Sequence, residues 1–525
     1  MKRKNLAKAM AGVLCAGMLL NEGVQIASAE ESGYQTTYGD KQFDDVTITV
    51  EIFDRSNAPT GTTLLDNRWT EYINQEMNKV GITVEFVGVP RSEETTKVQT
   101  MLATGSAPDI IFLYGTATPL DYFNQGGTVA LNDYVDGEDQ ARNLKEYITD
   151  EVLDIGRDQE GNLFAIPARR STVAVHNLFI RQDWLDELGL AVPTTVDEFY
   201  DVLKAFKENY PDCIPFITNK IDPASSLLNF SFMESVQDEK SYNENYWNQV
   251  YKDDGTVEYF RYLNKLYNDG LMDPEYYTVS DVPKEIGEKM LNGQVGAFTW
   301  NVNANVDTQR GSLLQTLRES EPEANYVAIA PFENINDGNV YNQAYSPNGA
   351  SIFIPQTAKN VEACITYLDW LATQEGGFTL YHGFEGEHFE YIDGVPVVID
   401  SNYNATDKDW ISGDLFLVGN SGYFMSEEEF SKATAQGYGE WADYVLTNYE
   451  MATTGTQRYQ PTYTAPSDTE YSTEIDLINE EYWTKSITCS PDNFDAVMTE
   501  YRAALEGAGA EEIYADYCAY YATME

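Results

Sequence analysis

The sequence predicts an α/β protein, and two observations carry that prediction. Apolar positions alternate between a period of two and helical spacing from Val46 to Leu113, and a second region of the same kind starts near Arg170. A third observation, a cationic and apolar leader, predicts that the chain is exported.

The leader comes first. Lys2, Arg3, Lys4 and Lys8 precede an apolar stretch from Ala9 to Leu20, and Ala27 to Ala29 place small residues before Glu30. This pattern predicts a signal peptide over 1–29 with cleavage before Glu30, followed by a polar linker over 30–43. The apolar stretch is too short to stay in a bilayer as a spanning helix.

Val46, Ile48, Val50 and Ile52 then alternate with polar residues, as a strand does. Leu65, Trp69, Tyr72 and Ile73 follow at helical spacing and stop before Gly81. Ile82, Val84 and Phe86 predict a second strand, and Val98, Met101 and Leu102 a second helix closed by Gly105. Ile110 to Leu113 form an unbroken apolar run, which predicts a strand covered on both faces. The β-α-β-α-β order at this spacing implies a parallel sheet with right-handed crossovers. In the second region Gly189 and Pro193 stop a helix over Trp184 to Leu188. Thr195 and Glu198 read as a capping box, and Phe199, Val202, Leu203 and Phe206 line the helix that it opens. No repeat of 20–50 residues is visible, which argues against a solenoid or propeller.

The formal charge is −52, so the chain repels phosphate backbones and nucleic acid is excluded as a partner. An apolar content of 42% is too high for a disordered chain. Cys213, Cys364, Cys489 and Cys518 show no metal-ligand spacing, and spacing leaves a Cys489–Cys518 pairing open. His382, Glu385, Glu387 and His388 resemble a metal cluster, but Gly383 and Gly386 break the helix that would bring ligands to one face. No nucleophile elbow or P-loop occurs, so the chain reads as a non-enzyme with no cofactor and no metal.

Three stretches together resemble a known family: residues 105–112 (GSAPDIIF), residues 161–200 with GNLFAIP, IRQDWLDELGL and VPTTVDEFY, and residues 384–394 (FEGEHFEYIDG). They look like the extracellular solute-binding proteins of carbohydrate ABC importers, in the long branch common in Gram-positive bacteria. The resemblance implies a two-lobed periplasmic-binding-protein-like fold with a cleft between the lobes and several chain crossovers. It places lobe one at 44–168 with 333–380 and lobe two at 171–330 with 381–525. It also implies an oligosaccharide ligand, importer permease subunits as partners, a monomer, and a cell-surface or extracellular location. A peptide ligand and a secreted glycoside-cleaving enzyme are the alternatives. Two departures stand out. Cys15 follows Leu14 inside the apolar stretch, which argues against a lipid anchor. Residues 209–215 (NYPDCIP) hold one carboxylate where relatives carry a calcium loop, which argues against calcium there.

A sugar offers apolar C–H faces and a ring of hydroxyls, so its site needs aromatic platforms and planar polar side chains. Open α/β sheets present such groups beyond the C-terminal ends of their strands. Those positions are Asp54 and Arg55 after the first strand and Tyr114 after the third. The first crossover adds Arg169 and Arg170, and Tyr345 and Asn348 lie near the second. Trp300 matches a family position where an aromatic faces the cleft. Three arginines in so acidic a chain point to a uronic acid or other anionic group on the ligand, against the repulsive field of the whole molecule.

Overall fold

The computed structural model describes residues 42–524 except 218–226, 279–281, 304–305, 307–312, 421 and 462. The expected signal peptide and the linker up to residue 41 lie outside the described residues. Within them run β1 (Val46–Asp54), β2 (Ile82–Pro90), β3 (Ile111–Tyr114), β4 (Ile166–Arg170), β5 (His176–Arg181), β6 (Ile214–Ile217) and β7 (Val295–Asn301). Then come β8 (Tyr326–Ile329), β9 (Tyr341–Ala344), β10 (Asn348–Phe353), β11 (Phe389–Ile392), β12 (Val395–Val398), β13 (Gly419–Asn420) and β14 (Thr456–Tyr459).

Strands β1 and β2 pair in parallel over their full length, from Val46 opposite Ile82 to Asp54 opposite Pro90. A parallel bridge between Val50 and Ile110 sets the start of β3 on the other side of β1. This is the expected β-α-β-α-β unit. Its first helix, α1 (Arg68–Met77), begins later than the apolar spacing suggests. Asn67 is the reason: its side chain accepts from the N–H groups of Trp69 and Thr70, and Thr70 Oγ1 accepts in return from the Asn67 N–H. Leu65 therefore lies before the helix and is exposed. The second helix, α2 (Glu94–Thr104), ends as expected on Gly105, whose left-handed φ of 67° costs a residue without Cβ little.

Strand β3 continues into a four-stranded sheet of order β13-β4-β10-β3. In it β10 runs antiparallel to both β3 and β4, so the sheet is mixed rather than wholly parallel. The reason is topological: β10 arrives after the entire second region and needs no crossover helix to pair. The second sheet has the order β6-β7-β5-β8, with β6 and β7 parallel and β5 antiparallel to both neighbours.

Each sheet has a separate core. Val89, Val98, Ile111, Leu113, Phe164 and Phe353 cluster beside the first. The helix over Val196–Asn209 packs Phe199, Leu203 and Phe206 onto the second, as its periodicity predicts. Its cap is split: Thr195 Oγ1 accepts from Glu198 N–H, while the Glu198 carboxylate accepts from the N–H and hydroxyl of Thr194. The helices over Phe494–Gly507 and Ala510–Tyr521 join the same core through Met498, Tyr501 and Tyr517. Cys213, Cys364, Cys489 and Cys518 are free thiols.

The packing departs from the expected division of the chain in two segments. Residues 381–420 fold onto the first sheet, where β13 pairs with β4 and Trp69 Nε1 donates to the Asp407 carbonyl at 2.8 Å. Arg68 forks onto Glu387 at 2.6 and 2.7 Å, and Trp69 stacks on Phe384 with centroids 5.3 Å apart. Residues 333–344, conversely, attach to the second region. Asn334 donates to the carbonyls of Phe230 and Met233 at 2.8 Å each, and β9 pairs with β14. Aromatic and charged residues on the 384–407 loop give it a partner surface on α1 that no periodicity advertises.

Candidate functional site

A cavity of about 470 Å³ opens over the C-terminal ends of β1, β3 and β4. Phe53 and Phe112 form its floor, Arg55 and Tyr114 extend from the strand ends, and Arg170 enters from the last residue of β4. Trp410, Asp409, Asp414 and Asn420 close the far wall from the segment that returns to the first sheet.

The strand ends carry polar side chains because each strand leaves its apolar run there. Phe53 is buried, and two residues later Arg55 reaches over the cavity. Arg55 binds Asp414 through both nitrogens of a fork, at 2.7 and 2.8 Å, and this hydrogen bond raises the arginine's pKa further. Asn57 donates to the Trp410 carbonyl at 3.1 Å and ties the same wall to β1. Tyr114 keeps 42% of its surface exposed, and Asn420 Nδ2 donates to its hydroxyl at 3.4 Å. Arg170 donates through Nε to the Ser346 carbonyl at 3.1 Å, with its guanidinium 4.6 Å from the Tyr345 ring centroid. Burial lowers the Arg170 pKa, while nearby Tyr345 and Tyr114 act against that shift.

Arg55 and Tyr114 from the strand ends and Arg170 from the first crossover line one cavity. Tyr345 reaches it at second hand, through Arg170. The other four do not line it. Asp54 accepts the Ser56 N–H at 2.8 Å and serves the turn in which Ser56 takes a φ of 54°. Arg169 precedes Arg170 on a strand, so it points to the opposite face. There it donates to the Tyr147 carbonyl at 2.6 Å and lies over the Phe424 ring. Asn348 is buried at 2% exposure and accepts from the Ser346 hydroxyl. Trp300 is 7% exposed in a core cluster with Phe179, Phe298 and Tyr326, so it packs instead of presenting a face.

Sequence reasoning missed Trp410, Asp414 and Asn420. They stand in a stretch with no period, and the one cue was a tryptophan between two carboxylates and close to Gly413 and Gly419. The histidine-rich loop has a structural explanation. His388 is wholly buried, its Nδ1 accepts the Phe384 N–H at 3.1 Å, and Nε2 meets Asp407 at 2.9 Å. That pattern places the proton on Nε2. Glu387 is drawn instead to Arg68 and Tyr403, and the Arg68 hydrogen bond holds its pKa down to about 2. Among the described residues no group of three His, Cys, Asp or Glu stands together as metal ligands would.

The cavity offers the exposed Tyr114 ring, two guanidinium groups, two carboxylates and two amides within one concave surface. Such a set can stack on an apolar ring face and bond hydroxyls around its edge. The Arg55–Asp414 fork cancels one of the two positive charges within the wall.

Comparison with known proteins adds sequence and fold evidence. The family model described as bacterial extracellular solute-binding protein matches residues 62–378. Lipoprotein LipO of Bacillus subtilis (strain 168) is 26% identical over 343 residues, covering 61% of this chain and 64% of that protein. The polygalacturonan/rhamnogalacturonan-binding protein YtcQ of the same organism is 22% identical over 338 residues, covering 60% and 63%. The matches thus span a little under two thirds of each of these relatives. In structure, an HMO-binding ABC-transporter-associated solute-binding protein from Bifidobacterium longum infantis superimposes with a TM-score of 0.64 at 17% identity. That match covers 91% of this chain and 99% of the other. The shared fold is the two-lobed α/β arrangement with several chain crossovers.

Proposed function

Because the chain belongs to the bacterial extracellular solute-binding proteins, we propose that it captures an oligosaccharide between its lobes and delivers it to the permease of an ABC importer. The observation that carries this reading is the cavity at the ends of β1, β3 and β4. It combines the half-exposed Tyr114 ring with Arg55, Arg170 and Asn420, while Trp410 is buried in the far wall. Ring faces plus planar hydrogen-bonding groups are what a pyranose or furanose requires, and this placement is where open α/β sheets bind ligands. The similarity to YtcQ, a polygalacturonan/rhamnogalacturonan-binding protein, supports a carbohydrate over a peptide.

On this reading the protein is exported, acts as a monomer and turns nothing over. Its lobes are best divided by packing, with 381–420 in the first and 333–344 in the second. Closure would bring the second lobe onto a ligand seated against Tyr114. The cavity has two arginines and two aspartates, with one arginine already forked to Asp414. The charge balance therefore favours a neutral glycan over the anionic one that the three arginines suggest in sequence.

A thermal-shift screen of neutral oligosaccharides, uronate oligosaccharides and peptides tests the reading, with scattering on any hit. A raised Tm with a more compact particle is expected for a glycan. A peptide hit alone, or release of shortened sugars by the purified protein, would overturn it.

A further inference from the structure

We propose that Arg91 is a positioning residue for the Tyr114 ring, a role that rests on the reading of the cavity as a glycan site. Arg91 follows the last residue of β2 and does not line the cavity. Its guanidinium nevertheless lies 4.8 Å from the Tyr114 ring centroid and 4.9 Å from that of Phe53. The two rings are nearly parallel, 15° apart in plane with centroids at 6.3 Å. One cation therefore spans both rings from outside the cavity.

The cation is itself fixed. Arg91 Nη1 stands 2.6 Å from a Glu94 carboxylate oxygen in the first turn of α2. The Glu94 carboxylate also accepts the backbone N–H of Tyr114. A single ion pair thus holds Tyr114 twice, by its main chain through Glu94 and by its ring through Arg91. Tyr114 needs such support because it is the last residue of β3 and its side chain is half-exposed. An aromatic side chain at a strand end has few neighbours to restrict its χ1, and a platform that swings loses part of its binding free energy in being ordered. A planar guanidinium stacked on the ring removes that freedom before a sugar arrives, which is preorganisation of the site.

Two measurements test the role. The first is a double-mutant cycle in which Arg91→Ala, Arg91→Lys and Tyr114→Ala are titrated with nystose and with tetragalacturonic acid. Arg91→Ala should weaken whichever saccharide binds about two- to fivefold, the scale of one exposed cation–π contact. The same change in the Tyr114→Ala background should have no effect, and Arg91→Lys should fall between wild type and Ala. Equal weakening in both backgrounds would overturn the proposal. The second needs no ligand: ¹⁹F NMR of protein labelled with 3-fluorotyrosine, the Tyr114 line being assigned by Tyr114→Phe. Arg91→Ala should move that line and leave the other tyrosines in place. If neither saccharide binds, the glycan reading loses support while the fluorine line still decides the role of Arg91. An unmoved line would overturn it.

Discussion

Replacing Glu51 by Gln should make the protein less sensitive to alkali, by an amount that the structure allows to be worked out. Glu51 points inward from β1 and is wholly buried. One carboxyl oxygen accepts the Phe112 N–H at 3.0 Å, and the other has no partner among the described residues. Loss of water, aided by the nearby Glu94 carboxylate, pushes its pKa from 4.5 up to about 8. The sign follows from where the proton is held more tightly. The folded state binds it above the unfolded pKa, so the contribution of Glu51 is intact below about pH 4.5 and is lost as pH rises toward 8. Between pH 5 and pH 7 these two pKa values imply a loss of about 2–3 kcal/mol. Glutamine keeps the acceptor for Phe112 and leaves a buried amide N–H₂ unpaired, a cost of about 1–3 kcal/mol that does not vary with pH. Urea unfolding of both proteins at pH 5 and pH 7, followed by tryptophan fluorescence, isolates the difference. The stability of Glu51→Gln relative to wild type should improve by about 2–3 kcal/mol between the two conditions. A constant offset at both pH values would mean that Glu51 ionises at an ordinary pKa, and the burial argument would fail.

Three further outcomes are expected. Tyr114→Ala should weaken glycan binding by about 1–3 kcal/mol with little change in Tm, because the ring is half-exposed; calorimetric titration and a melting curve read both. Trp300→Ala should do the reverse, costing about 3–5 kcal/mol of stability in denaturant unfolding through loss of a core side chain. A chelator should leave the Tm unchanged, since residues 209–215 carry only Asp212 as a carboxylate; a fall of several degrees on adding EDTA would contradict this.

The elements that local pattern specifies were legible in the sequence. Alternation over Val46 to Ile52, the run over Ile110 to Leu113 and the capped helix after Thr195 all appear where their periods place them. The strand-end rule named Arg55 and Tyr114 for the same reason, since a strand's last residues are fixed by where its apolar pattern stops, whereas Arg170 was named as part of the first crossover. Arg169 shows the limit. Taken as part of a crossover loop it could face the cleft, but it belongs to β4, whose period of two sends adjacent residues to opposite faces. Trp300 shows another: an aromatic at the end of a strand is apolar enough to be claimed by the core. Trp410 and Asp414 were out of reach because their place depends on Arg68, Trp69 and Arg55, more than 300 residues earlier. No local rule encodes such a pairing.

That return of residues 381–420 to the first sheet bears on the order in which the molecule can become competent. The strands that hold Arg55, Tyr114 and Arg170 are all made within the first 170 residues, yet one wall of their cavity is not synthesised until residue 420. A nascent chain halted at residue 380 would hold the floor of a site and no enclosure. The Arg55 guanidinium would then lack Asp414, and β4 would lack its edge partner β13. Bringing segments so distant together carries a loop-closure cost that local helices do not. The second region lies between them in the chain, so its synthesis must be complete before the cavity can close. Binding competence is for that reason a late event in the life of this chain, and a first lobe cut out as one contiguous fragment should fold in part and bind nothing.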